Sequence, residues 1–350
     1  MPARLPRRAF TMLEVSVAIA LASMVVAGLY QLFLQQSRQL AFLDTQAQMN
    51  QNLRFALDVV TRSLRNAGLG TAGEVVGRLG LGGDENATLP AVIGLDGAGG
   101  AGSDVITVVH MDPSLTMDTS ALESPSCDTP TLTFDLTMHD YARKILRYQA
   151  GEYLVCFDFA SLSGVASYLW EITSVDTAGG AIGLASNTGL ADFATACPSA
   201  ETLPSVMTCS RAEVLTFYID ADDGDGMGPG SAAHPVLMLD LDYGFPEADD
   251  VPLVDDIEDL QFAYCLADET GASACTDPTS WQDGLGVGET PWMVRVSLVA
   301  RSPREAPSQQ YAGMRPALEN HAGAAEGDHY YRQVISTEVT LRNLKLLSNL

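Results

Sequence analysis

The chain has 350 residues, 47% of them hydrophobic, enough to bury a sizeable core in one large domain or two average ones. Its charge is lopsided, with 19 Lys and Arg against 44 Asp and Glu, a net −25 at pH 7. Beyond residue 67 the balance is 12 basic against 41 acidic, a surface that repels phosphate backbones and anionic membranes and argues against nucleic-acid binding by the main body.

The first 67 residues read differently, with seven Arg and only three acids (Glu14, Asp44, Asp58). From Val15 to Leu34 the chain is a nearly continuous apolar run, broken by Ser16, Ser23, Tyr30 and Gln31. As a helix, twenty residues span about 30 Å, one hydrocarbon thickness. Arg4, Arg7 and Arg8 precede the run, which by the positive-inside rule keeps the N-terminus cytoplasmic and exports the rest of the chain. A signal anchor fits this pattern. So does a secretory signal peptide, for which Val25-Val26-Ala27 offers a small-residue cleavage site.

The helical pattern does not stop at the apolar run. Leu40, Leu43, Ala47, Leu53, Leu57, Val60, Leu64 and Ala67 recur close to a 3.5-residue period, with polar residues on the other face. Gly68 and Gly70 then supply a helix stop. One helix over 10–67 is expected, about 85 Å long at 1.5 Å per residue. A cleaved signal peptide needs no such continuation.

One residue breaks the apolar logic: Glu14, at the mouth of the run. The order Ala9-Phe10-Thr11-Met12-Leu13-Glu14, after a short basic leader and before an apolar helix, resembles the class III signal of type IV pilins and pseudopilins. The resemblance implies cleavage by prepilin peptidase between Ala9 and Phe10, N-methylation of Phe10, and Glu14 retained for assembly. The residue before the cut is Ala9 here, where the family usually has Gly. Physical chemistry points the same way. A carboxylate near hydrocarbon is costly alone, and the α-amine of a neighbouring subunit would offset that cost.

A Gly-rich passage over 68–103 reads as a connection. Its Gly68-x-Gly70-x-x-Gly73 spelling comes after a helix rather than a strand, so it is no dinucleotide fingerprint. From Asp104 onward, short β-branched and aromatic runs alternate with turn signals. The clearest are 104–110, 131–136, 153–159, 167–175, 214–220, 235–243, 257–267, 291–301 and 330–344. No helix-length segments separate them, so the strands are expected to be mainly antiparallel. The fold class is α+β: a leader (1–9), a long helix (10–67) with its membrane segment at about 15–34, the connection, and a β-rich exported body (104–350). The strands around 257–267, 294–302 and 330–344, with the helix end at 52–69, resemble PilW-type minor pilins.

All six cysteines lie beyond the apolar segment, an even count that fits an oxidising compartment, and no CxxC pair offers a zinc site. Spacing pairs Cys265 with Cys275 across a hairpin-length loop. Pairing as sequential neighbours joins Cys197 to Cys209 and Cys127 to Cys156. The sharpest polar cluster is DADDGDGMGPG, with Asp220, Asp222, Asp223 and Asp225. Dense carboxylates on a Gly-rich loop suit Ca²⁺, although Gly224 interrupts the EF-hand order. The other reading is a solvated hairpin tip. No other cofactor is expected. The five histidines (110, 139, 234, 321, 329) show no HExxH spacing, and no GxSxG elbow or Walker loop occurs, so no enzyme is expected.

The resemblance implies a minor pilin that helps to initiate or cap a type IV pilus. Its partners are other pilins through the N-terminal helix, prepilin peptidase and the inner membrane; its destination is the pilus and cell surface. The portion after the helix, 68–350, has more than 280 residues, large for a subunit stacked densely along a fibre. The alternatives are a minor pseudopilin of type II secretion, an exported adhesin or an anchored periplasmic enzyme.

Overall fold

The structure, a computed structural model, describes residues 11–69, 74–76, 89–120, 131–138, 140–157, 167–184, 206–222, 228–241, 250–266, 275, 277–286, 289–306, 313–324 and 327–347. The chain divides into two compact units, Met1–Asn50 and Gln51–Leu350. A single helix, α1 (Met12–Asn66, 55 residues), supplies the described part of the first unit and enters the second.

In the second unit, α1 buries Leu53, Ala56, Val60 and Leu64, and Ala67 just past its end is buried as well. The 3.5-residue seam expected from sequence has Leu57 where the structure buries Ala56. A straight helix repeats every 3.6 residues, so a fixed face drifts off a 3.5-residue stripe. The stripe's early members Leu40 and Leu43 are exposed. The helix ends as expected at Gly68, whose φ of 73° is the left-handed conformation that glycine tolerates. There the Asn343 side chain donates to the carbonyls of Arg65, Asn66 and Ala67 at 3.2–3.3 Å, satisfying acceptors that a helix end leaves open.

Sixteen strands come after α1 among the described residues. The first are β1 (Glu74–Val76), β2 (Leu89–Pro90), β3 (Val92–Leu95), β4 (Val105–Met111) and β5 (Met117–Asp118). Next come β6 (Thr131–Thr133), the short helix α2 (Tyr141–Lys144), β7 (Tyr153–Phe157), β8 (Ser167–Asp176) and β9 (Ala181–Leu184). Then come β10 (Thr208–Asp220), β11 (Val236–Asp240), β12 (Val251–Asp255) and β13 (Ile257–Leu266). The last are β14 (Trp281–Gln282), β15 (Pro291–Arg301), β16 (Arg332–Thr340) and the closing helix α3 (Arg342–Leu347). The architecture is a long helix followed by a mainly antiparallel β body, an α+β pattern. The one parallel pairing among the described strands is β1 with β8.

Two sheets form the body. The first has twelve strands with the main order β12-β11-β10-β7-β8-β1-β2; the second has four, β14-β13-β15-β16. The hub is β10, thirteen residues long. One edge pairs with β4 and β5, the other with β7 and β11. At its centre Thr216 and Thr107 join hydroxyls at 2.9 Å across a buried pair. Beside the hub lies an apolar cluster in which Leu115, Leu154, Trp170 and Ile182 pack with Cys156 and Cys209.

The chain crosses from one sheet to the other between β12 and β13, in a single residue. Asp256 makes that corner with φ 60°, a strained choice for a non-glycine residue. Its carbonyl accepts from Arg301 N at 3.0 Å and its carboxylate lies 3.3 Å from His234 Nδ1.

Two expectations change. The passage 68–103 is more than a connection, since β3 runs through it and pairs with β4 from Val92↔Val108 to Leu95↔Val105. The stretch expected as strand to residue 344 stops at Thr340 and continues as α3, which buries Leu344 beside the α1 terminus.

Candidate functional site

Glu14 sits in the first turn of α1 and is bound to Thr11. The Thr11 backbone N–H donates to Glu14 Oε2 at 2.9 Å and the Thr11 hydroxyl donates to the same oxygen at 3.1 Å. In return, Glu14 N–H donates to Thr11 Oγ1 at 3.3 Å. This is a capping box: a Thr and a Glu three residues on close the free amides of a helix start reciprocally. Its sequence signal is the Thr-x-x-Glu spelling, and it gives Glu14 a local role that the family resemblance does not supply. After Glu14 the side chains from Val15 to Phe33 are exposed and, apart from Ser16, Ser23, Tyr30 and Gln31, apolar, Val17, Leu21, Val25 and Leu29 among them. An 18-residue window here has a mean hydropathy of 2.1 with none of it buried, so the helix is long and apolar enough to cross a membrane. Ala9 and Phe10 lie outside the described residues.

At the far end of the chain, β13, β15 and β16 form an antiparallel trio, with register shifts near both ends of the β13–β15 ladder. Phe262 pairs with Val296, which pairs with Thr337, and the β15–β16 register runs without a shift from Met293↔Thr340 to Arg301↔Arg332. Arg332 ties the strand ends to Glu258 and Asp328, at 2.5 Å each. Residues 216–343, covering this trio and the hairpin before it, match the family described as Type IV pilus-assembly protein W. Residues 4–30 match the prokaryotic N-terminal methylation motif. The chain is a type IV pilin-like protein of PilW type. No curated protein matches it. A solved type IV-like pilin from Thermus thermophilus is 10% identical, with 84% of this chain and 97% of that one covered; its TM-score of 0.34 is too low to support an argument.

In this PilW-type chain two disulfides lie among the described residues. Cys265 is joined to Cys275, ten positions on. Cys156 is joined to Cys209, which corrects the sequential pairings Cys127–Cys156 and Cys197–Cys209. The reason is register. Cys156 on β7 and Cys209 on β10 are direct cross-strand partners with Cα atoms 4.0 Å apart, within bridging reach and fully buried. Nearness along the chain says nothing about which strands pair. Cys127 and Cys197 lie outside the described residues.

The acidic hairpin tip is half described. Asp220 is buried at the end of β10, where its Oδ2 accepts from Gly230 N at 2.7 Å and its Oδ1 from Asp222 N at 3.3 Å. One carboxylate thus closes the hairpin between β10 and β11 through backbone amides. Asp223 and Asp225 lie outside the described residues. Among the described residues no group of three or more His, Cys, Asp or Glu is placed to hold a metal ion.

The described histidines are dispersed. His110 lies 3.6 Å from Glu213, His234 lies 3.3 Å from Asp256, and His321 lies 2.9 Å from Asp259. These three lie in different parts of the chain, each beside its own carboxylate. The surroundings of His321 are the densest: its Nε2 meets Arg315 at 2.8 Å, and Asp259 also receives Gln261 Nε2 at 2.9 Å. Pilin-like families are structural, and this polar grouping ties the 313–324 segment to β13 (Ile257–Leu266).

Proposed function

We propose that the chain is a minor pilin of a type IV pilus that helps to initiate or cap assembly. In this reading prepilin peptidase cuts between Ala9 and Phe10 and methylates Phe10. The span near 15–34 holds the subunit in the inner membrane, with the N-terminus cytoplasmic and the body periplasmic. Partners then join through the exposed apolar face of α1 (Met12–Asn66), with Glu14 offered to a neighbour's amine.

The observation that carries the proposal is Glu14 at the head of an exposed apolar helix, inside the methylation-motif sequence. The match to the PilW family over 216–343 supports a pilus over a type II secretion system. Intact-mass and N-terminal mass spectrometry of the protein from membranes tests the proposal. The expected product is a chain of 341 residues, nine fewer than 350, beginning with N-methyl-Phe. A chain beginning at Gly28 would overturn it in favour of a secretory signal peptide.

A further inference from the structure

The segment 313–324 is a small hairpin fastened to the second sheet through one imidazole ring. Leu318 N donates to His321 O at 3.0 Å and His321 N to Leu318 O at 2.8 Å, closing the tip, where Glu319 takes a positive φ of 46°. Ala324 N donates to Arg315 O at 3.0 Å, so the two arms lie side by side. His321 stands on one arm and Arg315 on the other. The ring's Nδ1 lies 2.9 Å from Asp259 Oδ2 on β13 (Ile257–Leu266), and its Nε2 lies 2.8 Å from Arg315 Nη2. Gly102, in the turn before β4 (Val105–Met111), lets the ring approach closely, since a Cβ there would lie 3.2 Å from Nε2.

These contacts fix where the ring carries its proton. A guanidinium has donors and no acceptor, so Nε2 must offer its lone pair to Arg315. The proton is then on Nδ1 and is donated to Asp259. Gln261 Nε2 also lies 3.2 Å from Nδ1, but its hydrogens go to Asp259 Oδ1 at 2.9 Å and to Gly102 O at 3.2 Å. The ring is therefore neutral, with both nitrogens in use. From β13 it faces Asp259, 1% exposed. From the hairpin it faces Arg315, whose Nη1 is 4.0 Å from Asp259 and whose Nη2 also donates to Ala322 O at 2.9 Å. At the tip Glu319 meets Ser297 and Arg295 of β15 (Pro291–Arg301), and Asn320 reaches Asp96 ahead of β4. The turn at Gly102 brings no charge. The His321 side chain is 17% exposed, which leaves solvent a route to the ring.

We propose that His321 is an acid-operated release for this hairpin: a proton gained by Nε2 expels Arg315 and loosens 313–324 from the second sheet. The proton comes from solvent and bonds to the Nε2 lone pair. Nε2–H then points at a guanidinium N–H, two donors with no acceptor between them and one cation against another. Asp259 keeps the ring in place, because a carboxylate holds an imidazolium more firmly than a neutral imidazole. Arg315 therefore yields and His321 stays. The tip retains its contacts through Glu319 and Asn320, so loosening begins at the Arg315 arm. Opening uncovers the polar face beneath the hairpin, where Gln261 and Ser297 are buried in the closed form. The hairpin is closed while the ring is neutral and opens as histidine charges on acidification.

The test is hydrogen exchange on the full chain in detergent micelles, at about pH 8 and about pH 5, corrected for intrinsic rates. Wild type is expected to lose protection at the His321 and Ala324 amides by about tenfold at the lower pH, the effect of one hydrogen bond to a charged group. Other histidines charge over the same range, so two variants isolate this one. In Arg315→Met the ring gains its proton with no guanidinium to oppose it. In His321→Gln the amide oxygen accepts from Arg315 and the amide nitrogen donates to Asp259, with no proton to gain. In both, the change should shrink to about twofold or less. A loss of wild-type size in either variant, or none in wild type, would overturn the release. Side-chain nitrogen NMR of histidine-labelled wild type is the readout that needs no substitution. His321 should carry its proton on Nδ1 at the higher pH and on both nitrogens at the lower. A proton on Nε2 at the higher pH, or a ring still neutral at the lower, would overturn the release as well.

Discussion

Replacing both Cys156 and Cys209 with Ala tests the sheet register that the sequence did not reveal. The bond closes a loop with a sequence separation of 53. On the chain-entropy relation, opening such a loop raises the freedom of the unfolded state by about 4 kcal/mol. Both sulfurs are fully buried beside Leu154 and Trp170, so truncation also leaves a small void costing about 1 kcal/mol more. For a body of this size, roughly 2 °C is lost per kcal/mol, so the melting temperature should fall by roughly 10 °C. The assay pairs thermal unfolding of the full chain in detergent with peptide mapping after thiol blocking under non-reducing conditions. The map should contain a peptide joining residues 156 and 209, with Cys127 and Cys197 remaining as the third pair to be sought. Peptides joining Cys127 to Cys156 or Cys197 to Cys209, or a double variant that melts with wild type, would refute the register of β7 (Tyr153–Phe157) on β10 (Thr208–Asp220).

Three further outcomes are expected. Leu64→Ala empties a fully buried position on α1 and should cost about 2 to 5 kcal/mol in urea unfolding of the body, whereas Leu40→Ala, at an exposed position, should cost far less. Gly94→Ala places a methyl group where the Tyr264 hydroxyl already sits, with Tyr264 itself fully enclosed, so it should lower the melting temperature more than Gly284→Ala, whose added methyl meets only the Asp96 Cβ at 4.0 Å. Millimolar Ca²⁺ should raise the melting temperature of the wild-type chain by preferential binding to the native state, and Asp222→Ala should abolish the rise; no rise in wild type would leave Asp220 as a brace that closes the hairpin through Gly230 and Asp222.

The features legible in the sequence are the local ones. The apolar run, its Arg leader and Glu14 lie within 34 residues, and hydropathy and spacing suffice to read them. The helix stop at Gly68 is equally local, because a left-handed C-terminal residue favours glycine. Strands such as β4 (Val105–Met111) and β15 (Pro291–Arg301) announce themselves through β-branched runs. By contrast, β3 (Val92–Leu95) hides in a Gly-rich passage and exists because β4 offers it an edge. The Cys156–Cys209 bond depends on which strands flank β10, a choice made by the whole sheet. The tail at 341–344 reads as strand by composition, yet Leu341 and Leu344 turn inward where Asn343 meets the end of α1.

The central claim is that this chain assembles through the charge of Glu14. The substitution that isolates the charge is Glu14→Gln, because glutamine serves a capping box as glutamate does but offers nothing ionic to a neighbouring amine. Export, processing and the disulfides of the body should be unchanged. The measurement is the amount of the variant in sheared surface filaments relative to the membrane fraction, with a count of filaments per cell. The account predicts a processed, disulfide-bonded protein that accumulates in the membrane, nearly absent from the sheared fraction, with far fewer filaments of unaltered diameter. Wild-type recovery of Glu14→Gln in the sheared fraction, with normal filament numbers, would contradict the docking role and leave Glu14 as the cap of its own helix.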